Sequence, residues 1–316
     1  MQKYNERAIL LMGPTATGKT ELVLKLADYY PIEIISVDSA LIYKNMDIGT
    51  AKPTYEELVK VPHHLIDIIS PLESYSVAKF IKEAINLIKQ INNRGHLPVL
   101  VGGTMMYFNA FINGISKLPD SNNDIRQLLE KMADMHGWEF LYNKLLAIDS
   151  ETKIEPTDKQ RIIRNLEVYH LTGKPLSQLQ LENKEFLTKH INFLPLAIIP
   201  HDREILHKRI STRFDNMIER GFITEVQGLK LKYPQLTATH ASMRCVGYAQ
   251  IWKYLLNEFS IEELANITKA ATRQLAKRQI TWLKSLEVIN IDNGNLEIDK
   301  IFDKLLEYLN NFNINN

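Results

Sequence analysis

The chain of 316 residues is poor in cysteine and has no long hydrophobic run. Cys245 is the single cysteine, which excludes an internal disulfide and leaves a zinc site dependent on other residue types. No apolar run approaches the length of a membrane span, and the run at residues 8–12 is too short for the core of a signal peptide. We therefore expect a cytoplasmic protein without a membrane partner.

An excess of charge of either sign is also missing, since 38 Lys and Arg residues are balanced by 37 Asp and Glu residues. With a net charge of +1, any surface that binds nucleic acid has to come from local clustering of basic residues. Composition alone neither indicates nor excludes a polynucleotide partner. The hydrophobic content of 45% is that of an ordinary globular protein.

Short apolar runs that end at glycine or polar residues predict the fold. The runs AILLM, IEIISV, LPVLVGGT and FLPLAIIP, which begin at residues 8, 32, 97 and 193, predict buried strands, and a helical pattern begins at Lys19. This order predicts an α/β fold in which helices flank a parallel sheet and ligands bind beyond the carboxyl ends of the strands. Gly13, Asp38 and Thr104 would then lie at one edge of the sheet.

A polar segment interrupts this pattern. Residues 115–190 are helical in periodicity and lack strand signals. We therefore predict an all-α insertion domain within a catalytic core made of residues 1–114 and 191–316, which includes the C-terminal helices.

One helix of the insertion has clear boundary signals. Thr157 is the predicted N-cap, Gln160 stands at the capping-box position and Gly173 follows the last turn. Arg161 and Arg164 are three residues apart, so they would share one surface of this helix.

The segment GPTATGKT fits the phosphate-loop (P-loop) pattern. Backbone N–H groups and the helix N-terminus would surround a diphosphate, Lys19 would neutralise it and the Thr20 hydroxyl would meet Mg²⁺. The pattern is specific here because it follows an apolar strand and opens a helix. The residues assigned to phosphate binding are Gly13, Pro14, Thr15, Ala16, Thr17, Gly18, Lys19 and Thr20.

Two polar residues follow other predicted strands. Asp38 is either the magnesium-organising carboxylate of an ATPase or a general base that takes a proton from an acceptor, and the residues alone do not decide. Thr104 follows two glycines, and its hydroxyl can both donate and accept a hydrogen bond. Nearby polar residues are predicted to be solvated or structural: Ser39, Lys44, Thr50, Lys52, His63 and His64.

The C-terminal part contains a basic and aromatic stretch. Residues 264–286 include five basic residues and no acidic one. Lys269, Arg273 and Lys277 are spaced by four and line one stripe of a helix, and Trp282 offers a stacking surface. A solvated helix face is the alternative interpretation, but such a surface favours a polynucleotide ligand. The segment ASMRCVGYAQIW, just upstream, adds Arg244, Tyr248 and Trp252.

Together these segments resemble the tRNA dimethylallyltransferases, also called tRNA isopentenyltransferases. The resemblance spans residues 8–285 and is to the shorter, bacterial form, without the zinc finger of eukaryotic members. The P-loop alone is shared with many other proteins, whereas the other segments in this order are specific to the family. The seven segments are GPTATGKT, SVDSALIYKNMDIGTAKP, VGGTMMY, QRIIRNLEV, RFDNMIERGFITEV, SMRCVGYAQIW and ATRQLAKRQITWLK.

The resemblance implies transfer of a dimethylallyl group from dimethylallyl diphosphate to the N6 amine of adenosine 37 in tRNA, with Mg²⁺ as cofactor. The P-loop would hold the diphosphate of the donor. The resemblance further implies that Asp38 is the general base, that Thr104 positions the reacting centre and that Arg213 adds a cation at the diphosphate. A monomer is expected.

The resemblance also implies contacts with the anticodon stem-loop of tRNA. Three positions depart from the family pattern: Met106, Asn165 and Ala249 stand where leucine, alanine and a basic residue are usual. Ala249 thereby removes one expected phosphate contact. The implied tRNA-binding residues are Asp38, Ser39, Ala40, Leu41, Thr104, Arg126, Gln160, Arg161, Ile162, Ile163, Arg164, Arg244, Cys245, Val246, Gly247, Tyr248, Ala249, Lys277, Arg278, Gln279, Ile280, Thr281, Trp282, Leu283 and Lys284.

Two other functions remain as alternatives. A small-molecule or nucleoside kinase would hold ATP in the P-loop and use Asp38 to deprotonate a hydroxyl, but it leaves the basic C-terminal helix without a role. A non-catalytic RNA-binding protein does not explain why Lys19, Thr20 and Asp38 are all present.

Overall fold

The structure is a computed structural model that describes residues 6–182, 184–186, 189–292 and 297–312. The chain divides into two compact units. The core unit comprises Met1–Ile112 and Thr188–Asn316, and the insertion unit comprises Asn113–Leu187.

The core unit is built on a parallel sheet. In chain order, the strands of the described residues are β1 Glu6–Met12, β2 Ile32–Val37, β3 His63–His64, β4 Leu97–Gly102, β5 Ile115–Ser116, β6 Lys184–Glu185, β7 Ile191–Ala197 and β8 Ile289–Asn290. Six of these strands form one parallel sheet of order β3-β2-β4-β1-β7-β8. The predicted parallel α/β sheet is therefore confirmed, and all four strands predicted from apolar runs belong to it.

Helices follow most of the strands. In chain order they are α1 Lys19–Leu26, α2 Tyr55–Lys60, α3 Val77–Asn93, α4 Met105–Asn113, α5 Asn123–His136, α6 Trp138–Ile148, α7 Lys159–Thr172, α8 Leu176–Glu182, α9 Arg203–Glu219, α10 Phe222–Lys232, α11 Tyr248–Tyr254, α12 Ile261–Leu283 and α13 Ile298–Asn311, with a 3₁₀ turn at Ser242–Arg244. Within the described ranges, none of them combines the length and apolar character that a bilayer span requires.

The alternation of side chains along β1 explains why helices cover both faces of the sheet. Leu10 and Met12 pack into a hydrophobic cluster with residues of α3 and α4. Ile9 and Leu11 point to the opposite face and pack with residues of α1 and α13. A strand that is apolar on both faces is typical of the centre of a parallel sheet, so the polar edge at its carboxyl end is where a ligand can bind.

The insertion unit has a hydrophobic core of its own. Side chains of α5, α6 and α7 form it, among them Leu129, Leu141 and Leu166. The unit is mainly helical but not all-α, since it also contains the antiparallel pair β5 and β6. That pair was not predicted, because strands of two residues are too short to show an alternating pattern.

The predicted start of α7 was wrong by one residue. The N-cap is Asp158, whose carboxylate accepts a hydrogen bond from Arg161 N at 3.1 Å, and not Thr157. With Asp158 as N-cap, the third helical position is Arg161, so Gln160 cannot complete a capping box. Gly173 ends the helix in the left-handed conformation with φ of 70°, as expected from its position.

Candidate active site

The loop between β1 and α1 has the shape of a phosphate cradle. Ala16 and Gly18 have positive φ angles of 65° and 89°, which turn the backbone sharply before the helix begins. The buried Thr17 hydroxyl donates to Pro14 O at 2.9 Å and holds the turn. Because Gly18 is the N-cap of α1, no side chain caps the helix, and its first N–H groups are suited to bind an anion.

Lys19 is held against this loop. Its ammonium group donates to the carbonyl oxygens of Gly13 and Pro14 at 2.8 and 2.7 Å. Burial and the nearby Arg213 cation lower the pKa of Lys19 to about 7, while the Asp38 carboxylate acts in the opposite direction. An anion bound in the loop would favour the charged form of Lys19.

Three strands end side by side at this edge of the sheet. Met12 of β1 pairs with Gly102 of β4, and Gly102 pairs with Val37 of β2. The loops that follow these strands are therefore neighbours, as predicted from the order of the apolar runs. Thr104 N donates to Val37 O at 3.1 Å, which fixes the turn that leads into α4.

Asp38 and Thr104 lie on adjacent loops. Ser39 N donates to the Thr104 hydroxyl at 3.0 Å, so the residue after Asp38 is bound to Thr104. Asp38 Oδ1 accepts from Ala40 N at 2.8 Å, which orients the carboxylate within its own turn. The half-buried Asp38 thus has a defined direction at the edge of the sheet.

A cavity of about 670 Å³ brings the charged groups together. It is lined by Thr15 to Thr20 of the P-loop, by Asp38, by Arg213 from α9 and by Gln279 from α12. Burial lowers the pKa of Arg213, and the Asp38 carboxylate opposes that shift. The cavity therefore brings Lys19 and Arg213 together with the Asp38 carboxylate. Other charged residues also line it: Glu21, Lys25, Asp28, Glu57 and Lys60.

The predicted RNA-binding residues of α12 divide into two groups. Lys277, Arg278, Thr281, Trp282 and Lys284 are exposed, and the indole of Trp282 has 40% of its surface accessible. The other three, Gln279, Ile280 and Leu283, are buried or half-buried, so their side chains pack within the core unit. The exposed group forms a basic face with one aromatic residue, which we call the α12 face.

Part of the predicted basic stripe is neutralised. Lys269 forms an ion pair with Asp215 of α9 at 2.6 Å. Arg273 is half-buried. The α12 face is therefore confined to the C-terminal part of the helix.

The segment upstream of α12 presents few exposed side chains. Arg244 is exposed, whereas Cys245, Val246 and Ala249 are half-buried. Burial and the Asp38 carboxylate raise the pKa of Cys245 to about 12, so the thiol stays neutral.

Two other residues of this segment are packed against α10. Tyr248 is fully buried and donates to Glu225 at 2.6 Å. Gly247 has a φ of 93°, and a β-carbon there would lie 2.8 Å from the ring of Phe222. Their side-chain positions are structural, so any contact of Gly247 or Tyr248 with RNA would have to use the backbone.

In the insertion unit, two of the predicted RNA-binding arginines serve the fold. Arg126 and Arg164 each donate to the fully buried Glu167 at 2.8 Å, and Arg164 also donates to Pro119 O at 2.7 Å. Burial alone would raise the pKa of Glu167, but the hydrogen bonds from both arginines hold it below its usual value. These contacts join α5 and the segment before it to α7.

The remaining predicted residues of α7 differ in exposure. Gln160 and Arg161 are exposed, whereas Ile162 and Ile163 belong to the core of the insertion unit. Asn165 stands where the family usually has alanine, and its amide donates to Arg161 O at 2.8 Å. This departure adds a hydrogen bond within the helix.

Two of the polar residues predicted to be solvated are bonded within the protein. The hydroxyl of the half-buried Thr50 donates to Met46 O at 2.7 Å. The side chain of Lys52 is only 7% exposed, since its ammonium group binds the carboxylates of Asp47 and Asp67 and the carbonyl of Tyr43. The adjacent histidines are structural, as predicted. His63 Nδ1 bonds to Val61 O and His64 Nε2 bonds to Glu33, both at 2.7 Å.

Glu225 is a structural residue that the sequence analysis missed. Its carboxylate accepts from the backbone N–H groups of Asp47, Ile48 and Gly49 at 2.9, 2.6 and 3.2 Å. It also accepts from Tyr248, so a single side chain of α10 holds the loop after β2. Glu225 lies in one of the seven family segments, but its spacing contains no signal for a contact with residues 176 to 178 positions earlier.

Comparison with known proteins decides the family. Residues 41–286 match the model of a family described as IPP transferase. The chain belongs to this family. A tRNA dimethylallyltransferase of Chromobacterium violaceum is 51% identical over 288 residues, which cover 90% of this chain and 88% of that protein. The resemblance stated from the seven segments is thereby confirmed.

Solved structures of similar proteins agree with IPP transferase membership. The full-length tRNA isopentenylpyrophosphate transferase from Bacillus halodurans is 35% identical with a TM-score of 0.66, over 97% of this chain and 98% of that chain. A eukaryotic dimethylallyltransferase acting on tRNA is 28% identical with a TM-score of 0.80, over 97% of this chain and 79% of that chain. The likeness to IPP transferases thus extends over almost the whole of this chain.

Proposed function

We propose that the protein transfers a dimethylallyl group from dimethylallyl diphosphate to the N6 amine of adenosine 37 in tRNA, releasing diphosphate. The observation that carries the proposal is the cavity in which a P-loop, two cations and the Asp38 carboxylate meet, in a member of the IPP transferase family. A kinase could use the same P-loop. The family match over residues 41–286 favours the prenyl transfer.

The donor diphosphate would bind in the P-loop. The N–H groups at the start of α1, with Lys19 and Arg213, would neutralise it. Negative charge grows on the diphosphate as its bond to the allylic carbon breaks, and donors that are already oriented stabilise that charge without reorganising. Leu41, Ala51 and Val101 line the same cavity and offer apolar surface to the prenyl chain.

The N6 amine of the acceptor is a weak nucleophile because its lone pair is delocalised into the adenine ring. The N6 nitrogen would form a bond to the allylic carbon as the carbon–oxygen bond to diphosphate breaks. Asp38 would take the proton that N6 loses, which requires hydrogen-bond reach between the carboxylate and the amine. The Thr104 hydroxyl, bound to Ser39 N, would hold the Asp38 turn in place. The target base would leave the anticodon stack to enter the cavity.

Mg²⁺ fits this site with few protein ligands. Thr20 presents an exposed hydroxyl in the first turn of α1 and lines the cavity. In the part of the chain that the structure describes, no group of three His, Cys, Asp or Glu side chains is arranged to hold a metal ion. Mg²⁺ commonly keeps several waters and binds through substrate phosphates, so Thr20 is the residue assigned to it. When bound, the ion supplies further neutralisation of the diphosphate charge.

The tRNA would dock on the α12 face. Lys277, Arg278 and Lys284 would contact phosphates, and Trp282 would stack on an unpaired base. The protein would act in the cytoplasm, where its tRNA substrate is found. The monomeric state stays a prediction that light scattering in solution would measure.

The experiment that tests the function is label transfer from radioactive dimethylallyl diphosphate to unmodified tRNA with Mg²⁺, run beside a reaction that contains labelled ATP. We expect label at adenosine 37 and no consumption of ATP. A tRNA with guanosine at position 37 is the matched control, because guanine lacks the N6 amine. Consumption of ATP without label in the tRNA would support the kinase instead.

A further inference from the structure

We propose that Gln279 is a positioning residue that ties the donor loop to the acceptor side of the cavity, and that it does not contribute to RNA affinity as a member of the α12 face. The inference rests on the proposed function for the identity of the two substrates. Both ends of the Gln279 amide are used within the protein. Its Oε1 accepts from Thr15 N at 3.0 Å, and its Nε2 donates to Gly103 O at 2.8 Å.

The absence of a side chain at Gly103 leaves the space that the Gln279 amide occupies. A β-carbon at Gly103 would lie 2.4 Å from Gln279 Nε2, so any larger residue would displace it. Gln279 is 9% exposed, and both of its partners are backbone groups. Gly103 O also accepts from Met105 N at 3.1 Å, so loss of the amide would leave that carbonyl bonded but would deprive the Thr15 N–H of this acceptor, which is costly inside a protein.

The two partners belong to the two halves of the proposed reaction. Thr15 is part of the P-loop, which would hold the diphosphate. Gly103 precedes Thr104, whose hydroxyl is bound to Ser39 N, next to the general base Asp38. Gln279 therefore links the donor loop to Gly103, whose neighbour in the chain, Thr104, is hydrogen-bonded to the turn that carries the base.

Gln279 lies on the buried side of α12, and another side of the same helix is exposed. Lys277 and Arg278 precede it and Thr281 and Trp282 follow it, and all four are part of the α12 face. One helix would thus touch RNA on its exposed side and hold the donor loop on its buried side. We infer that binding of RNA and binding of the diphosphate are coupled through α12, with Gln279 as the point of contact.

The test uses Gln279→Met, which keeps the length of the side chain and removes both hydrogen bonds. Gln274→Met is the matched control, because Gln274 is an exposed glutamine on the same helix. The affinity for inorganic diphosphate with Mg²⁺ is measured by calorimetry, with and without a saturating anticodon stem-loop RNA. The affinity for the RNA alone and the thermal unfolding midpoint are measured in parallel.

We expect Gln279→Met to weaken diphosphate binding by roughly tenfold, to lower kcat and to leave the RNA affinity within about twofold of the wild-type value. We also expect RNA to raise the diphosphate affinity of the wild type, and we expect this gain to be lost in the variant. Gln274→Met should match the wild type in all of these measurements. A loss of RNA affinity alone, with diphosphate binding unchanged, would show that Gln279 contacts RNA and would overturn the proposal.

A second variant approaches the same contact from the other side. Gly103→Ala should push the amide away from Gly103 O and give the same pattern of losses as Gln279→Met. Because both substitutions disrupt the contact between Gln279 and Gly103, the double variant should bind diphosphate about as weakly as the more impaired single variant. If the losses of diphosphate affinity in the two single variants add fully in the double variant, the proposal is contradicted, even where one single variant is unstable. Failure of the wild type to transfer label would contradict the proposed function. The binding measurements do not depend on turnover, so they test the role of Gln279 separately.

Discussion

Asp38 is the single carboxylate that the proposed chemistry uses as a base. Asp38→Ala should lower the rate of prenyl transfer by a factor of roughly a hundred to ten thousand, the usual range for lost general base catalysis. The tRNA affinity should change little, since the α12 face is untouched. Single-turnover label transfer, with RNA binding measured separately, checks both. A variant that keeps its activity would remove Asp38 from this role.

Lys19 predicts a pH dependence of donor binding. Its pKa is about 7 in the structure, and a bound diphosphate would raise it, so binding takes up a proton around neutral pH. Affinity for the Mg²⁺ complex of diphosphate should therefore fall as the pH rises above about 7. Lys19→Arg is the control. Arginine stays charged over this pH range, so the pH dependence of its affinity reports the titration of the ligand alone. The same pH slope in both proteins would contradict the prediction.

The P-loop could be predicted residue by residue because its pattern is local. Its glycines, Lys19 and Thr20 lie within eight positions of one another, and an adjacent strand and helix fix their geometry. Gln279 and Glu225 could not be predicted in this way. Their partners lie 264 positions away for Thr15 and 178 for Asp47, and no local spacing encodes such contacts.

At the scale of elements, α12 predicts how RNA binding depends on salt. Replacing Lys277 and Arg278 with alanine should weaken tRNA binding and flatten its salt dependence, by about 0.7 to 0.9 in the logarithmic slope for each lost phosphate contact. Lys269→Ala is the matched control on the same helix, because Lys269 is already paired with Asp215. Filter binding over a range of salt concentrations measures the slope. An unchanged slope in the double variant would exclude the α12 face from phosphate contact.

The start of β2 predicts a pH-dependent contribution to stability. Glu33 is buried there, and its carboxylate accepts two hydrogen bonds from Arg94 at 2.8 Å and contacts His64 and His96 at 2.7 and 3.0 Å. Arg94 above all lowers the pKa of Glu33 to about 2, from an ordinary value of 4.5. This difference corresponds to about 3 kcal/mol, at about 1.4 kcal/mol for each pKa unit.

Because the folded pKa is depressed, this stabilisation is present above about pH 4.5 and is lost as the pH falls towards about 2. Glu33→Gln should therefore be less stable than the wild type by roughly 3 kcal/mol at neutral pH, and the gap should narrow near about pH 3. Urea unfolding at both pH values measures the gap. A gap of constant size would mean that the charge of Glu33 contributes little.

The length of a strand decided whether it could be predicted from the sequence. The four strands identified from apolar runs are six or seven residues long and buried. Strands β3, β5, β6 and β8 have two residues each, and only their neighbours in the folded sheet define them. The cap of α7 was assigned to the wrong residue because Thr157 and Asp158 are neighbours and both residue types are favoured N-caps.

At the scale of the whole molecule, the two units have separate hydrophobic cores. The cluster of the insertion unit contains only residues between Ile125 and Leu166, and the clusters around the sheet contain none of them. Replacing residues 116–184 with a short glycine-serine linker should therefore leave Mg²⁺-diphosphate binding within about threefold of the wild-type value, since the residues that line the cavity all belong to the core unit. Calorimetry measures it. Loss of diphosphate binding in a variant that still unfolds cooperatively would contradict the independence of the two cores.

The position of the insertion has a consequence for synthesis on the ribosome. β1 pairs with β4 on one side and with β7 on the other, through seven residue pairs with β7. The 89 positions from Gly102 to Ile191 separate the ends of these two partners in the chain, so β1 has one unpaired edge while they are made. At 5 to 20 residues per second that interval lasts roughly 5 to 20 s, during which the insertion can already fold on its own core. Until β7 emerges from the ribosome, the unpaired edge of β1 can pair with other nascent chains. We therefore expect chaperones to be bound to the nascent chain most often in that interval.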